Sequence, residues 1–270
     1  MTDDRPIGVF DSGVGGLTVV RALREALPHE SIVYLGDTAR LPYGTKSPQT
    51  VSRYAHRAVE HLQQHGIKMM VVACNTASAL ALDEVQRTVA PLPVVGVVRP
   101  GAAAAVRASV SGRITVIATE STTRNGAYVR EIHALRPDAE VTSRACSLFV
   151  ALAEEGWTHG EVAQAAAREY LHDVAGSRSD CLVLGCTHFP VLADVITAVV
   201  GPGVCIVDSA ATTAAVVRAE LAARDLVRDG GDPTLRLLAT DSPERFLQVA
   251  ARFLPERLLP SAGAELVDLQ

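Results

Sequence analysis

The chain has 270 residues, of which 48% are hydrophobic, so it can bury the core of one large α/β domain or of two smaller ones. The formal net charge of −5 gives no electrostatic reason to expect binding to nucleic acid or to an anionic membrane. No uncharged apolar run reaches the roughly 18 residues that a membrane-spanning helix needs. The acidic first residues run straight into a predicted strand, so no signal peptide is expected.

Short apolar runs alternate with amphipathic segments along the chain, which predicts an α/β fold. The predicted strands cover residues 7–10, 31–35, 68–73, 93–98, 113–118, 140–145, 181–185, 204–207 and 235–240. The predicted helices cover residues 17–27, 49–65 and 77–89, an alanine-rich stretch after residue 101, and residues 210–227 and 243–253.

The order of these elements repeats once along the chain. Thr119 follows Asp11 by 108 residues, and Cys186 follows Cys74 by 112 residues, each pair at the end of a corresponding strand. This spacing indicates two copies of one βαβ-type unit. We therefore predict a first α/β domain from residues 1–98 and 209–270, which carries Cys74, and a second from residues 99–208, which carries Cys186.

Five cysteines form an odd set without a short-spaced framework, which predicts free thiols in a reducing cytoplasm. Cys146, Cys181 and Cys205 lie within or beside apolar runs and are expected to be buried structural residues. Cys74 and Cys186 differ, because an Asn-Thr pair follows the first and a Thr-His pair follows the second. Both lie where a strand ends and a helix begins, the edge at which parallel sheets bind ligands and at which backbone N–H groups lower a thiol's pKa.

Three kinds of chemistry fit such thiols. A metal site would join Cys186 and His188 to the distant Cys74, but the chain has no C-x-x-C pair. A nucleophilic Cys–His hydrolase needs one cysteine and leaves the second unexplained. Acid–base chemistry uses both, because inversion of a stereocentre needs one group to remove a proton from carbon and another, on the opposite face, to return one.

Acidic residues and a histidine lie close to these thiols in the pattern. Asp11 and Asp37 each follow a strand, where a carboxylate caps a helix, orients a thiol or binds an ammonium group. His188 lies two residues from Cys186, and its ordinary pKa suits proton transfer near neutrality. Glu154 ends a helical segment and is either solvated or part of the site. The glycines after Asp11 do not form a dinucleotide fingerprint, because residue 18 is threonine, although their N–H groups can hold an anion.

The lysine content argues against pyridoxal phosphate. The chain has two lysines, Lys46 in a polar loop and Lys68 at the amino end of a predicted strand. A pyridoxal enzyme needs a lysine for its Schiff base, and neither position is at the ligand-binding edge of a sheet. No cofactor and no metal are predicted.

Four motifs together resemble glutamate racemase, in the order and spacing of that family and over essentially the whole chain. They are residues 7–18 (IGVFDSGVGGLT), 34–44 (YLGDTARLPYG), 73–77 (ACNTA) and 184–190 (LGCTHFP). The resemblance implies two similar doubly wound α/β domains related by a pseudo-twofold, with the active site in the cleft between them. It also implies a cofactor-independent enzyme that supplies D-glutamate for bacterial peptidoglycan.

The resemblance further implies roles for individual residues. Cys74 matches the thiol assigned to the α-proton of the D-isomer, and Cys186 matches the thiol assigned to that of the L-isomer. The other residues matched to catalytic positions are Asp11, His188, Asp37 and Glu154. The residues matched to substrate-binding positions are Asp11, Ser12, Pro42, Tyr43, Gly44, Cys74, Asn75, Thr76, Thr119, Thr122, Cys186, Thr187 and His188.

The sequence departs from the family pattern at Arg99, where an acidic residue is common, at Ser121, where a glycine is usual, and at Ala151, where a proline is frequent. Related activities therefore stay open: a racemase or isomerase acting on aspartate or another small acid, a racemase-like protein that mainly binds a partner such as a topoisomerase, and a hydrolase. We expect a cytoplasmic homodimer with a small-molecule substrate, glutamate, and without direct contact to nucleic acid or membrane.

Overall fold

The computed structural model describes residues 3–174 and 176–269, and this part of the chain contains two β-sheets flanked by helices. The strands are β1 (Ile7–Asp11), β2 (Ile32–Gly36), β3 (Met69–Val72), β4 (Val94–Gly96), β5 (Arg113–Ala118), β6 (Glu140–Ala145), β7 (Cys181–Gly185), β8 (Cys205–Asp208), β9 (Leu235–Ala239) and β10 (Ala264–Leu266). The central strands β1, β2, β3 and β7 are buried along their whole length, as expected of strands covered by helices on both faces.

Both sheets have a doubly wound topology. The first sheet has the order β10-β9-β2-β1-β3-β4, and the second has the order β6-β5-β7-β8. Every strand pairing within the described residues is parallel. β2 and β3 flank β1, as β6 and β7 flank β5, so the strand order reverses at equivalent places. The predicted α/β class is confirmed, and the ligand crevice of such sheets opens at the carboxyl ends of these strands.

Helices cover the sheets with their apolar faces. They are α1 (Leu17–Ala26), α2 (Pro48–Gln63), α3 (Asn75–Leu80), α4 (Leu82–Val89), α5 (Val98–Ala108), α6 (Glu120–Asn125), α7 (Ala127–Leu135), α8 (Leu148–Glu155), α9 (Gly160–Leu171), α10 (Ala193–Val200), α11 (Ser209–Ala223) and α12 (Pro243–Ala250). In α1 the spacing of Leu17, Val20 and Leu23 places all three side chains in the core, as the sequence predicts. α11 packs against both α1 and α5.

The predicted helix over residues 77–89 is two helices, α3 and α4, which meet at Ala81. Within α3 the Ser78 hydroxyl donates to the Val72 carbonyl at 2.8 Å and accepts from the Val97 N–H at 3.2 Å. These bonds tie α3 to the ends of β3 and β4, whereas α4 buries Val85 and packs against α2. The periodicity of the sequence does not record such tertiary hydrogen bonds, and so it predicts one continuous helix.

Three further expectations are wrong. The helix after residue 101 begins earlier, at Val98, because the first turn of a helix tolerates Pro100. α11 ends at Ala223 rather than at residue 227. Cys205 is exposed rather than buried, since β8 is the edge strand of the second sheet. The structure also contains β10, a short and largely exposed strand that the sequence pattern does not indicate.

Two classes of feature are missing from the described residues. None of their helices is both long enough and apolar enough to cross a membrane. Across residues 3–174 and 176–269, no group of three or more histidine, cysteine, aspartate or glutamate side chains is arranged to hold a metal ion.

Candidate active site

A cavity lies where the carboxyl ends of the two sheets face each other. Segments that follow β1, β2, β3, β5, β6 and β7 supply its lining, which consists of Ser12, Gly13, Leu41, Pro42, Tyr43, Gly44, Cys74, Asn75, Thr76, Thr119, Val150, Glu154, Cys186, Thr187 and His188. A neighbouring cavity of about 170 Å³ shares Leu41 and Glu154 with it but contains neither cysteine. The first cavity therefore occupies the edge at which the topology predicts a ligand.

The Cys74 thiol enters the cavity from the first sheet. Cys74 follows β3 and caps α3, where its sulfur accepts a hydrogen bond from the Ala77 N–H at 3.4 Å. The thiol also lies 3.4 Å from the Ser12 hydroxyl and donates to it. Burial, together with the nearby Asp11 carboxylate, raises the pKa of the Cys74 thiol to about 12. This sulfur is therefore a protonated thiol at neutral pH.

The Cys186 thiol enters from the second sheet, beside an imidazole. The Cys186 sulfur lies 3.9 Å from His188 Nδ1, and His188 Nε2 lies 3.1 Å from Glu154 Oε1. Burial favours the neutral imidazole, but hydrogen bonds to Cys186 and Glu154 outweigh it and raise the pKa of His188 to about 10. His188 is therefore an imidazolium at neutral pH.

Asp11 lies beneath the cavity rather than in its lining. Its side chain is fully buried, and Oδ2 accepts the Gly13 N–H at 2.9 Å. Oδ1 has no hydrogen-bond partner among the described residues. Burial raises the pKa of this carboxyl against the opposing effect of the nearby His188 charge. The carboxyl is close enough to both Cys74 and His188 to affect their protonation.

Asp37 also lies outside the cavity lining, but it is hydrogen-bonded to Tyr43, which is part of that lining. Asp37 Oδ2 accepts the Tyr43 hydroxyl at 2.6 Å, while Oδ1 accepts Arg40 Nη1 and Thr240 Oγ1, both at 2.9 Å. All three donors approach one fully buried carboxylate. Asp37 thus fixes the Tyr43 ring, which forms part of the cavity wall.

Threonine hydroxyls from the two sheets meet on the other side of the cavity. Thr76, at the start of α3, lies 2.9 Å from Thr119 Oγ1 and 3.1 Å from Thr122 Oγ1, and the latter two are 3.0 Å apart. Beside them Asn75 lines the cavity with an Nδ2 group that has no partner among the described residues. An amide donor and hydroxyls of this kind suit the carboxylate groups of a small ligand.

The structure brings most of the predicted site residues to this one cavity. Those that line it are Ser12, Pro42, Tyr43, Gly44, Cys74, Asn75, Thr76, Thr119, Glu154, Cys186, Thr187 and His188. Asp11, Asp37 and Thr122 do not line it, but each is hydrogen-bonded to a residue that does. Their individual roles stay predictions.

Sequence reasoning missed three residues of the lining, Gly13, Leu41 and Val150. Gly13 and Leu41 lie inside the motifs that carry the family resemblance, so those motifs contained the signal. Val150 precedes Glu154 by one helical turn in α8, and the i, i+4 spacing places both on one face. Tyr128, which bonds Asn75 from a distant helix, left no local signal.

The glycine-rich loop after β1 packs closely against the second sheet's site residues. A Cβ atom on Gly15 would lie 2.4 Å from Thr187 Oγ1 and 2.5 Å from His188 Nδ1, distances that real Cβ atoms do not adopt. Only glycine at this position lets the loop reach the imidazole. Gly15 therefore helps to set where His188 lies.

We expect Gly15→Ala to lower turnover at least ten-fold, because a 1 Å displacement of a catalytic group costs up to roughly 10²-fold. The measurement is kcat/KM for whichever substrate the protein turns over. Gly203→Ala is the matched control, since no heavy atom lies within 4 Å of its Cβ position, and it should be neutral. An unchanged rate in Gly15→Ala would show that His188 is not held by this contact.

Residues 8–217 match the model of the Asp/Glu/Hydantoin racemase family, and the chain belongs to that family. It is 49% identical to the glutamate racemase of Geobacter metallireducens over 255 residues, which cover 94% of each chain.

Solved structures agree over nearly the full length. The glutamate racemase of Francisella tularensis, in complex with D-glutamate, superposes with a TM-score of 0.92 at 36% identity and covers 99% of both chains. A glutamate racemase isoform from Bacillus anthracis gives a TM-score of 0.93 at 36% identity and covers 98% of both chains.

Proposed function

We propose that this protein interconverts L-glutamate and D-glutamate by proton transfer at Cα, with Cys186 and Cys74 as the two bases. The observation that carries the proposal is the cavity lined by one cysteine from each sheet, with the His188 ring 3.9 Å from the Cys186 sulfur. A relative that is 49% identical over 255 residues is a glutamate racemase, which supports glutamate as the substrate. The product D-glutamate would supply peptidoglycan synthesis.

In the proposed mechanism, the reaction from L-glutamate to D-glutamate begins with proton transfer to Cys186. The Cys186 thiolate, stabilised by the His188 imidazolium, removes the α-proton of L-glutamate and becomes a thiol. The carbanion that forms takes a proton on its opposite face from the Cys74 thiol, which becomes a thiolate. The Cα–H bond that breaks on one face is thereby replaced on the other, and the configuration inverts.

The product form of the protein then has the opposite arrangement of protons, Cys74 as thiolate and Cys186 as thiol. This form can accept D-glutamate directly and run the reaction backward. It can also return to the resting form by exchanging protons with solvent. Because burial raises the pKa of Cys74 to about 12, its thiolate takes up a proton readily at neutral pH.

The α-proton of an amino acid is a poor acid, so the site has to stabilise the charge that develops on the α-carboxylate. Preorganised donors are the strongest means of doing so in a water-excluded cavity. The Asn75 Nδ2 group, which has no partner among residues 3–174 and 176–269, and the Thr76 and Thr119 hydroxyls belong to lining residues that can act as such donors. Ser12 and Thr187 extend the set on the thiol-bearing side.

The reaction proposed here needs no pyridoxal phosphate, because neither lysine is placed to form a Schiff base. Lys68 is fully buried in an ion pair with Glu30 at 2.7 Å, and Lys46 is not part of the cavity lining. The deciding experiment is a racemisation assay on each glutamate isomer in buffer free of pyridoxal phosphate and metal, followed by circular dichroism. Aspartate serves as the second substrate. Faster turnover of aspartate, or no turnover of glutamate, would overturn the proposal.

Glu154 supports the imidazolium, and this support should be visible in the pH dependence. In Glu154→Gln the loss of the carboxylate charge lowers the pKa of His188 from about 10. We expect kcat/KM for L-glutamate to fall roughly ten-fold at pH 9, since each unit of pKa corresponds to a factor of ten. The alkaline limb of the pH profile should move to lower pH, and NMR titration of the His188 ring should show the same shift.

The raised pKa of His188 also makes the stability of the fold depend on pH. A histidine whose pKa is raised by folding stabilises the fold below its unfolded pKa of about 6.5, and this stabilisation is lost as pH rises through about 10. In Glu154→Gln the loss should begin at lower pH. Glu155→Gln is the matched control, because the neighbouring carboxylate is exposed and outside the lining. Identical profiles for the two variants would contradict the role of Glu154.

We also propose the domain division drawn from the sequence, residues 1–98 with 209–270 and residues 99–208. The distribution of strands supports it, because β9 and β10 join the first sheet while β5 to β8 form the second. Limited proteolysis that releases a stable fragment ending near residue 100 would contradict the discontinuous first domain.

A cytoplasmic homodimer is part of the proposal as well. The five cysteines are free thiols, which suits a reducing compartment, and the dimer rests on the family resemblance. Sedimentation equilibrium at micromolar concentration should give twice the chain mass, and a monomer mass with full activity would remove the dimer from the proposal.

A further inference from the structure

The side-chain amide of Asn75 has two polar groups, and among the described residues one of them is hydrogen-bonded and the other is not. Its Oδ1 accepts a hydrogen bond from the Tyr128 hydroxyl at 2.7 Å. Its Nδ2 is buried, has no partner among the described residues, and belongs to a residue of the cavity lining. A buried amide donor without an acceptor costs free energy unless a ligand supplies the acceptor.

The orientation of the amide depends on which end Tyr128 engages. A side-chain amide can turn over about its last bond, and the turned form would offer Oδ1 to the cavity in place of Nδ2. A carboxylate ligand would then meet an acceptor rather than a donor. Since the phenol donates to Oδ1, it favours the form in which the NH2 group stays free for a ligand.

Close packing on two glycines fixes the Tyr128 ring. The Tyr128 side chain is buried, and a Cβ atom on Gly101 would lie 3.2 Å from its hydroxyl oxygen. The ring also packs on Gly185 at the end of β7, where a Cβ atom would lie 3.1 Å from Cε2. Burial raises the pKa of this phenol, so the oxygen keeps its proton. Because the amide oxygen of Asn75 can only accept, the hydrogen bond at 2.7 Å directs that proton at Asn75.

The contact also joins the two halves of the site. Asn75 follows Cys74 at the end of β3 in the first sheet, whereas Tyr128 lies in α7, which packs on α5 and β6. The donor offered to the ligand is thus set by a residue 53 positions away that does not line the cavity.

We propose that Tyr128 is a positioning residue: it holds the Asn75 amide with its NH2 group toward the bound amino acid, where it donates to a carboxylate of the substrate. This inference rests on the proposed glutamate racemase activity and adds a residue to it. Tyr128 takes no part in proton transfer, so its removal should alter substrate binding without moving the pH profile.

A double-mutant cycle tests the proposal, using wild type, Tyr128→Phe, Asn75→Ala and the double variant. Tyr128→Phe should raise KM for both isomers by roughly 5- to 100-fold, the range that corresponds to leaving one buried group unpaired, with a smaller change in kcat. If Tyr128 acts through Asn75, the double variant should equal Asn75→Ala within about two-fold. Losses that multiply in the double variant, or an unchanged KM in Tyr128→Phe, would overturn the proposal.

Two further variants separate positioning from folding. Asn75→Asp keeps an acceptor for Tyr128 but replaces the NH2 group by an oxygen that repels a carboxylate, so KM of the folded variant should rise by roughly 100-fold or more. A wild-type KM in this variant would contradict the proposal even if Tyr128→Phe does not fold. Tyr170→Phe is the matched control, because its hydroxyl bonds the Leu148 N–H at 3.2 Å away from the lining, and its kinetics should match wild type.

The same set of proteins distinguishes failure of this inference from failure of the proposed activity. Turnover of glutamate by wild type tests the activity alone. Calorimetric titration with D-glutamate tests Tyr128 independently of turnover, and Tyr128→Phe should weaken binding by the factor seen in KM. Equal affinities for wild type and Tyr128→Phe would overturn the role of Tyr128 whether or not wild type racemises glutamate.

Discussion

Replacing Cys74 or Cys186 by alanine is expected to abolish racemisation of glutamate, with a loss of roughly 10²- to 10⁴-fold or more for either single variant. Positioned acid–base groups contribute factors of this size, and the two thiols act in series in one inversion. Among the described residues no third cysteine lines the cavity, and Cys146 is buried outside it. Racemisation is measured from each isomer by circular dichroism.

The two variants should differ in exchange with heavy water. Cys74→Ala keeps the Cys186 thiolate and its imidazolium, so it should still exchange the α-proton of L-glutamate without inverting the centre. Cys186→Ala should behave in the same way toward D-glutamate, but more slowly, because burial raises the pKa of Cys74 to about 12 and leaves little thiolate. Exchange is read by proton NMR of the recovered amino acid.

Cys205→Ala is the matched control, since that thiol is exposed on the edge strand β8 and lies outside the lining. It should racemise both isomers at the wild-type rate. Continued racemisation by either single variant of the pair would remove the two-base mechanism, and exchange of both isomers by Cys74→Ala would mean that one base serves both faces.

The sequence predicts the thiol pair because the pattern that marks each cysteine lies within a few residues of it. An apolar strand, a cysteine and a polar pair lie within a few residues at both Cys74 and Cys186, and parallel strands bring such ends to one edge. The repeat of that pattern was enough to predict the α/β class. The strand order was not predictable, because hydrophobic periodicity does not encode which strand pairs with which.

Hydrogen bonds between residues distant in sequence position several side chains of the site, and no local sequence pattern predicts them. Asp37 reads as a catalytic carboxylate, yet the structure binds it to Tyr43 and Thr240, and the latter contact spans 203 positions of the chain. Tyr128 and Asn75 are 53 positions apart. The exposure of Cys205 also depends on sheet order, since an apolar strand is buried in a sheet's centre and half exposed at its edge.

Lys68 illustrates how far a buried charge depends on remote partners. The sequence places it at the amino end of a strand, which excludes it from the ligand-binding edge but does not predict its burial. In the structure its ammonium group is fully buried, forms an ion pair with Glu30 Oε2 at 2.7 Å, and donates hydrogen bonds to the carbonyls of Asp3 and Leu226, also at 2.7 Å. It thereby joins the amino-terminal segment, the turn before β2 and the segment after α11.

Lys68→Met is expected to destabilise the fold by about 3–5 kcal/mol, because it leaves the Glu30 carboxylate buried without its counter-charge. For a chain of this size that loss lowers the melting temperature by roughly 6–20 °C. The measurement is urea unfolding followed by circular dichroism, with the melting temperature as a second readout. Catalysis at 25 °C should stay within about two-fold of wild type, since neither residue of the pair lines the cavity.

The double variant Lys68→Met with Glu30→Gln supplies the control for this prediction. A glutamine keeps the oxygen that accepts the Arg228 N–H at 2.9 Å but removes the buried charge. The double variant should therefore recover much of the stability that the single variant loses, as expected when an uncompensated charge rather than lost packing causes the damage. A double variant as unstable as Lys68→Met would assign the loss of stability to packing and to the two carbonyl contacts. If Lys68→Met alone stays within about 1 kcal/mol of wild type, the ion pair contributes little to the stability of the fold.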